Sequence, residues 1–443
     1  MRSRHVETPF NEVDEAFLHL SHPDEPDSIQ LEVRAPGRLD AERLASAVAH
    51  ALRLHPMARA RKAPGSPLRL QYTWELPDTL DLEPLAIAHC QDDAALALVR
   101  ARLQSLFVSL EQSPPLRMLL VRHPAGDVVM LHASHTATDG IGALRFLRSV
   151  IRAYAGAPEA PPAVDPLAVR DLRPLLAARG PHERRARWDT LLRSQAEAWT
   201  APPARIAQDG ARAAPGYGFV HVRLSAEALA RLEGRRQLGA TVNDVLLAAL
   251  HLAIERWNQS HGQRPHRIST YVPTNLRPAD WRLEVVANLS LSATVSSFPE
   301  ERSAPGTLLA SIVRQTRRIK ETGEAAALAE LLGPAPLVPL FWKQALPGVM
   351  ALTGERFLPT AVLSNLGELR EPFSFGEGAE ATELWWSPPG RMPMGLAVGV
   401  VSHRGTLHLV ARHRHTLMDT RAAHAFSEGL VHSVLFDFQG PQR

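Results

Sequence analysis

Apolar and polar residues alternate near the N-terminus in a pattern that predicts a strand followed by a helix. The alternation runs from Ile29 to Val33, as expected for a half-buried strand. Gly37 interrupts it, and Asp40 occupies a position suited to a helix N-cap. Apolar residues then recur at helical spacing until Pro56, which cannot continue a helix.

A hairpin and a second amphipathic helix are predicted next. Residues 117–121 and 128–133 are both rich in apolar residues, and the turn-forming sequence Pro-Ala-Gly-Asp separates them. A helix that begins near Gly140 carries apolar residues along one face: Ile141, Leu144, Leu147, Ile151 and Tyr154. The short segment 134–140 therefore joins the end of a strand to the start of a helix.

The composition changes between residues 156 and 215, where clusters of alanine and proline flank an arginine-rich stretch of helical character. This change predicts a linker that contains a helix. We therefore divide the chain into an N-terminal lobe at 1–155, a linker at 156–215 and a C-terminal lobe at 216–443. The last lobe is predicted to hold strands and helices in mixed order, with strands at 219–224, 288–295, 395–401 and 406–412 and helices from 226 and at 242–257. Such an order favours α/β layers over a doubly wound parallel sheet.

The composition is typical of a globular protein. Hydrophobic residues make up 45% of the 443 residues and charged residues 21%, so the chain can bury a large core. The single cysteine, Cys90, excludes an intramolecular disulfide and a cysteine-based metal cluster. The N-terminus lacks the apolar core of a secretory signal, and no apolar run approaches the length of a spanning helix. These features predict a cytoplasmic protein without a transmembrane segment.

The basic residues do not indicate a nucleic-acid partner. The formal net charge is only +3, and the basic runs at 184–187 and 314–318 are short. A nucleic-acid-binding protein is expected to show clustered basic residues interleaved with exposed aromatic residues. These runs fit a solvated helix face. Alternatively, they form a docking surface for an acidic partner such as a coenzyme phosphate or a carrier protein.

The segment Ser134-His135-Thr136-Ala137-Thr138-Asp139-Gly140 holds the candidate chemistry. A side chain at the end of a strand can be held rigidly while it faces a cavity. Histidine is the side chain best suited to accept a proton near neutral pH, which makes His135 a candidate general base. Asp139 could orient the ring or brace the turn, and Gly140 would allow close packing at the helix start.

Three other interpretations of this segment are a hydrolytic triad, a metal site and a buried core histidine. Ser134 cannot act with His135 in a hydrolytic triad, because neighbouring side chains of a strand point to opposite faces, and no Gly-x-Ser-x-Gly elbow exists. The same geometry separates His132 from His135, and no His-Glu-x-x-His pattern is present, so no metal site is predicted. From the residues alone, an ordinary buried histidine remains open.

The segment resembles the His-His-x-x-x-Asp-Gly signature of the coenzyme A-dependent acyltransferase superfamily. That superfamily includes chloramphenicol acetyltransferase, alcohol acetyltransferases, bacterial wax ester synthase/diacylglycerol acyltransferases and the condensation domains of nonribosomal peptide synthetases. Three further segments resemble family motifs in the expected order: 239–248 with Val-Asn-Asp, 272–288 with Arg277, and 364–367 with Ser-Asn-Leu-Gly. One departure is that Ser134 replaces the first histidine of the signature. The resemblance covers roughly residues 10 to 435.

The resemblance implies a two-lobed chloramphenicol acetyltransferase-like α/β fold, in which each lobe is a mixed sheet packed with helices and the active-site tunnel lies between the lobes. It implies that His135 is the catalytic base, that Asp139 pairs with Arg277, and that Ser134 is supportive. Asn243, Ser364 and Asn365 are candidates to donate hydrogen bonds to the oxyanion that develops on the thioester carbonyl. The alternative is that they only cap a helix or stabilise a turn. Trp385 and Trp386 could line the acceptor pocket, although aromatic residues in strands are more often core.

The implied reaction moves an acyl group from a thioester to an alcohol acceptor. The donor would be acyl-CoA or an acyl thioester on the phosphopantetheine of a carrier protein, with no permanently bound cofactor. One alternative is a free-standing condensation enzyme that joins carrier-bound intermediates through an amide or ester in secondary metabolism. Another is a non-catalytic member of the family that binds a carrier protein.

Overall fold

The computed structural model describes residues 6–210, 214–234, 239–281, 284–327, 338–345, 348, 353 and 356–438. The strands are β1 (Val6–Pro9), β2 (Ser28–Arg34), β3 (Arg61–Lys62), β4 (Thr73–Leu76), β5 (Leu85–His89), β6 (Leu116–Arg122), β7 (Val128–Ser134), β8 (Tyr217–Leu224), β9 (Ile268–Asn275), β10 (Ser290–Ser297), β11 (Ala361–Leu369), β12 (Glu383–Ser387), β13 (Leu396–His403) and β14 (Thr406–Arg414). The helices are α1 (Glu12–Leu20), α2 (Ala41–Leu54), α3 (Asp93–Gln104), α4 (Gly140–Ala155), α5 (Arg173–Leu176), α6 (Pro181–Thr200), α7 (Ala226–Gly234), α8 (Val242–Ser260), α9 (Pro299–Arg302), α10 (Pro305–Thr322), α11 (Leu340–Lys343) and α12 (Thr420–His432).

The first large sheet has the strand order β12-β2-β7-β6-β5, with one parallel pair, β5 and β6. Helices α2 and α4 pack together over this sheet, because both carry the apolar stripes that the sequence predicts. Leu31 of β2, Leu44 of α2 and Leu147 of α4 meet in the resulting core. A small sheet, β1-β4-β3, lies beside this lobe.

The second large sheet has the order β10-β9-β11-β13-β14-β8 and is also mixed, since β11 is parallel to both of its neighbours. The apolar α8 is buried along most of its length, and α10 and α12 pack beside it. Each lobe is therefore a mixed sheet covered by helices, and the predicted fold class is confirmed.

Strand β12 joins the two lobes, although it comes late in the chain. It pairs antiparallel with β2, so residues from beyond position 380 complete the first sheet. The strand passes directly over β13 of the second sheet. At the crossing, a Cβ on Gly399 would lie 2.3 Å from the Trp386 carbonyl oxygen, so only glycine allows the backbones to approach this closely.

One sequence expectation needs physical correction. Strand β2 was expected to be half-buried, yet its polar face is buried as well: Glu32 is 1% exposed. The reason is that Arg100 of α3 covers this face and donates to Glu32 at 2.8 Å, an ion pair that no local pattern reveals. Within the segment predicted as a linker, buried Arg170 forms an ion pair with Asp14 of α1.

No helix among the described residues is long and apolar enough to cross a membrane.

Candidate active site

The loop that carries His135 follows directly on β7. Strand β7 ends at Ser134, and the main-chain N–H of His135 still donates to the Asp27 carbonyl at 3.0 Å, one step beyond the last strand pair. The N–H groups of Ala137 and Thr138 both turn back to the Ser134 carbonyl, at 3.1 and 3.3 Å. This tight turn leads at once into α4. The position of the His135 backbone is therefore fixed from both sides.

The His135 side chain lies where the two lobes meet. Its ring stacks on Phe17 of α1, with the ring centroids 4.1 Å apart. From the second lobe, the side-chain amide of Asn288 donates to the His135 carbonyl at 2.7 Å and approaches Nδ1 at 3.3 Å. Whether the longer contact is a hydrogen bond depends on the tautomer of the ring, because an amide nitrogen only donates. Among the described residues, Nε2 has no hydrogen-bond partner and is available to a substrate.

Asp139 is occupied by structural bonds. As the N-cap of α4, its Oδ1 accepts from the Gly142 N–H at 2.8 Å. Its Oδ2 accepts from Arg277 at 2.5 Å and from the Leu289 N–H at 2.8 Å. The ion pair with Arg277 that the resemblance implied is thus present and buried. These bonds tie the turn that presents His135 to the second lobe.

Gly140 starts α4 under a close aromatic contact. A Cβ at this position would lie 2.8 Å from Cζ3 of Trp386 and 3.1 Å from a methyl carbon of Leu366. Trp386 is 3% exposed and donates its indole N–H to the Val400 carbonyl at 2.9 Å. Trp386 therefore packs as a core residue beneath the loop. Trp385 lies on the opposite face of β12, where the Arg100 guanidinium carbon is 5.2 Å from the centroid of its ring.

The remaining predicted site residues lie on three different elements. Ser364 and Asn365 lie on β11, just before the Leu366 that faces Gly140, and Asn365 accepts from the Gly367 N–H at 2.8 Å in a local turn. Asn243 is half-buried at the start of α8, with no hydrogen bond to His135 among the described residues. Ser134 is buried at the end of β7, and no hydrogen bond joins it to the His135 ring in the described part of the chain.

His132 lies three residues before His135, in β7. Burial lowers the pKa of His132 to about 4, and its Nε2 contacts the Leu106 carbonyl at 2.9 Å. His132 is therefore a neutral core residue at physiological pH. Within the described ranges, no group of three or more histidine, cysteine, aspartate or glutamate residues could hold a metal ion.

Sequence reasoning missed three residues that surround His135: Phe17, Asp27 and Asn288. Asn288 is the last residue of the 272–288 segment that resembles a family motif, and this was the only sequence signal for it. Phe17 and Asp27 precede the signature by more than one hundred residues. The pairing of β2 with β7 brings Asp27 to the signature, and the position of α1 brings Phe17.

Comparisons with known proteins give one family model and a curated relative of similar length. A family model described as Condensation domain matches residues 18–272, which is more than half of the chain. The uncharacterized protein Rv2305 of Mycobacterium tuberculosis is 33% identical over 395 residues, covering 87% of this chain and 89% of that protein.

Solved structures show the same fold. A variant of the starter condensation domain of rhizomide synthetase, in complex with C8-CoA and Leu-SNAC, gives a TM-score of 0.67 at 13% identity, covering 98% of this chain and 96% of that one. The epimerization domain from the third module of tyrocidine synthetase B gives 0.64 at 15% identity, covering 97% and 96%. The chain belongs to the condensation-domain family of the coenzyme A-dependent acyltransferase superfamily.

Proposed function

We propose that the protein transfers an acyl group from a thioester to a nucleophilic acceptor, with His135 as the general base. The observation that carries the proposal is the position of His135: its ring lies between the lobes, on a loop that Asp139 and Arg277 hold in place, with Nε2 free for a substrate among the described residues. We take an alcohol as the first acceptor and an amine as the second. Family membership supports acyl transfer in general, without choosing between them.

In this reaction His135 Nε2 removes the proton of the acceptor hydroxyl or amine as that group attacks the thioester carbonyl. The tetrahedral intermediate then collapses, the carbon–sulfur bond breaks, and the thiolate leaves with the proton returned from His135. A thioester is already activated, so a positioned base that contributes about 10²–10⁴-fold, together with proximity, is a sufficient account. No covalent enzyme intermediate is required.

The oxyanion of the intermediate needs hydrogen-bond donors. Ser364 and Asn365 are the stronger candidates, because β11 brings their neighbour Leu366 to the first residue of the helix that follows the His135 loop. Asn243 is the weaker candidate, since it follows Thr241, whose side chain caps α8. Asp139 is assigned a bracing role, because both of its oxygens accept other hydrogen bonds.

The donor is proposed to be acyl-CoA or an acyl thioester on the phosphopantetheine of a carrier protein. A starter condensation domain with the same fold has been solved with C8-CoA and Leu-SNAC, which supports a test with thioester donors. Carrier-bound substrates on both sides would make the protein a condensation enzyme. Binding of a carrier without turnover would make it a non-catalytic family member.

The test measures thiol release from octanoyl-CoA and from an octanoyl-loaded carrier protein, each with an alcohol and an amine acceptor. We expect His135→Ala to reduce acceptor-dependent thiol release at least about 100-fold. The matched control is His182→Ala, because His182 is exposed on α6 away from the loop, and it should keep wild-type turnover. Undiminished turnover in His135→Ala would remove His135 from the mechanism. Absence of thiol release with every pair in the wild type would favour the non-catalytic alternative.

A further inference from the structure

Asp27 lies directly across the strand pair from His135. The register of β2 and β7 pairs Ser28 with Ser134, and the hydrogen bond from the His135 N–H to the Asp27 carbonyl extends that register by one step. Directly opposed residues of antiparallel strands project from the same face, with Cβ atoms about 4.5–5.5 Å apart. The Asp27 carboxyl group and the His135 imidazole therefore occupy the same side of the sheet, at the seam between the lobes.

One oxygen of the buried Asp27 carboxyl group, Oδ2, has no hydrogen-bond partner among the described residues. The residue is 6% exposed. A buried carboxylate is costly unless it is paired or bonded, so its retention calls for a compensating charge. Burial raises the pKa of the Asp27 carboxyl, while the positive charges of His135, Arg391 and Arg412 each act to lower it.

Both arginines donate to main-chain carbonyls, and Arg412 lies beside Asp27, since it also donates to the Pro26 carbonyl at 3.4 Å. Arg412 is fully buried and donates to the carbonyl oxygens of Ser28 and Pro388, at 3.1 and 3.2 Å. Arg391 donates to the Leu20 carbonyl at 2.8 Å. Neither arginine changes its charge during a reaction, because guanidinium groups stay protonated. His135 is the group near Asp27 whose charge appears and disappears when a proton moves.

We propose that Asp27 is a positioning residue for the reaction: its carboxylate stabilises the imidazolium that forms when His135 takes the acceptor proton. This inference rests on the proposed function of His135. The proton passes from the acceptor hydroxyl or amine to His135 Nε2 and then to the leaving thiolate, and Asp27 neither gives nor takes a proton. Asp27 thus serves His135 as a counter-charge, the part that Asp139 cannot play because Arg277 already pairs with it.

The test replaces the charge but keeps the shape, with Asp27→Asn. We expect kcat to fall about 10-fold or more with a smaller change in KM, because the charge acts on the imidazolium of the transition state. The acidic limb of the pH–rate profile should move to lower pH by about one unit, since a lost negative charge disfavours protonation of His135. Asp27→Glu keeps the charge and should restore part of kcat. The control is Asp24→Asn, because Asp24 is a nearby exposed carboxylate, and it should leave both quantities unchanged.

A second readout does not need turnover. Proton-dependent NMR shifts of the His135 ring, assigned with His135→Ala, should show protonation at lower pH in Asp27→Asn than in the wild type. An unchanged titration and an unchanged pH–rate profile, with only a change in unfolding free energy, would overturn the proposal and leave Asp27 as a counter-charge for Arg412. If the wild type releases no thiol but the His135 titration shifts as expected, the proposed function fails while the coupling of Asp27 to His135 stands.

Discussion

The histidine and the aspartate of the signature, His135 and Asp139, have different surroundings. His135 presents a ring nitrogen, whereas the Asp139 carboxylate accepts hydrogen bonds from Gly142, Arg277 and Leu289. An aspartate with this many donors cannot also move a proton to or from a substrate. Its role at the site is to fix the distance between β7, α4 and the second lobe.

We therefore expect Asp139→Asn to act on stability first. The substitution leaves Arg277 buried without its counter-charge, and breaking such a buried pair costs about 3–5 kcal/mol. Urea unfolding followed by circular dichroism measures the loss. The matched control is Asp171→Asn, because the pair of Asp171 and Arg173 is solvent-exposed and should change stability by less than about 1 kcal/mol. A stable Asp139→Asn protein with selectively lost turnover would instead give Asp139 a chemical role.

At the residue scale, the sequence predicted His135 as a candidate base and the pairing of Asp139 with Arg277, but not the residues around His135. His135 and Asp139 could be found because their chemistry depends on a spacing of four residues within one segment. Asp27 and Phe17 could not, because their approach to His135 depends on the pairing of β2 with β7 and on the position of α1. Contacts across the fold leave no local pattern.

At the scale of elements, periodicity predicted α2, α4, α7, α8 and the hairpin of β6 and β7, but not the pairing of β12, which serves both lobes. The tryptophans of β12 are typical of a strand, but its partner β2 lies about 350 residues earlier in the chain. Similarly, Glu32 reads as a solvent-facing residue until α3 places Arg100 over it. The elements where the two lobes meet are thus the ones that local sequence patterns predict least well.

The crossing of β12 over β13 gives a prediction for an element. In Gly399→Ala, the new Cβ would lie 2.3 Å from the Trp386 carbonyl and 2.9 Å from Cδ of Pro388, so β12 must move away from β13. We expect a loss of about 1–3 kcal/mol in unfolding free energy, because a backbone atom cannot give way as a flexible side chain can. Gly429→Ala in α12 is the control, since its Cβ meets no atom within 4 Å, and alanine should stabilise the helix slightly. Equal stability of the two variants would contradict this description of the crossing.

At the scale of the whole molecule, the two lobes bury an unusual set of histidines. Burial lowers the pKa of His55, His221 and His251 to about 3, and the pKa of His408 and His413 to about 4. These side chains are neutral in the folded protein over a range in which the unfolded chain would protonate them. The buried carboxyls of Glu15, Asp27 and Glu32 act in the opposite sense, because burial raises their pKa.

The pH dependence of stability follows from these shifts. Between pH 6.5 and the folded pKa of about 3, the unfolded state binds a proton at His251 that the folded state does not. The contribution of His251 to the unfolding free energy is therefore fully present above pH 6.5. It decreases by about 1.4 kcal/mol per pH unit as the pH falls below that value. The same sign applies to the other buried histidines.

The contribution of one histidine can be isolated by substitution. His251 contacts Ser297 at 2.7 Å and Thr270 at 3.0 Å, and a glutamine amide can keep at least one of these hydrogen bonds without titrating. We expect the unfolding free energy of His251→Gln, measured in urea from pH 7.5 to 5.5, to depend on pH with a slope lower by up to one proton than the wild type. The buried carboxyls are common to both proteins, so they cancel in this difference. His182→Gln, at an exposed position on α6, should keep the wild-type slope. Identical slopes in His251→Gln and the wild type would mean that His251 does not supply the acid sensitivity, whatever the absolute stabilities.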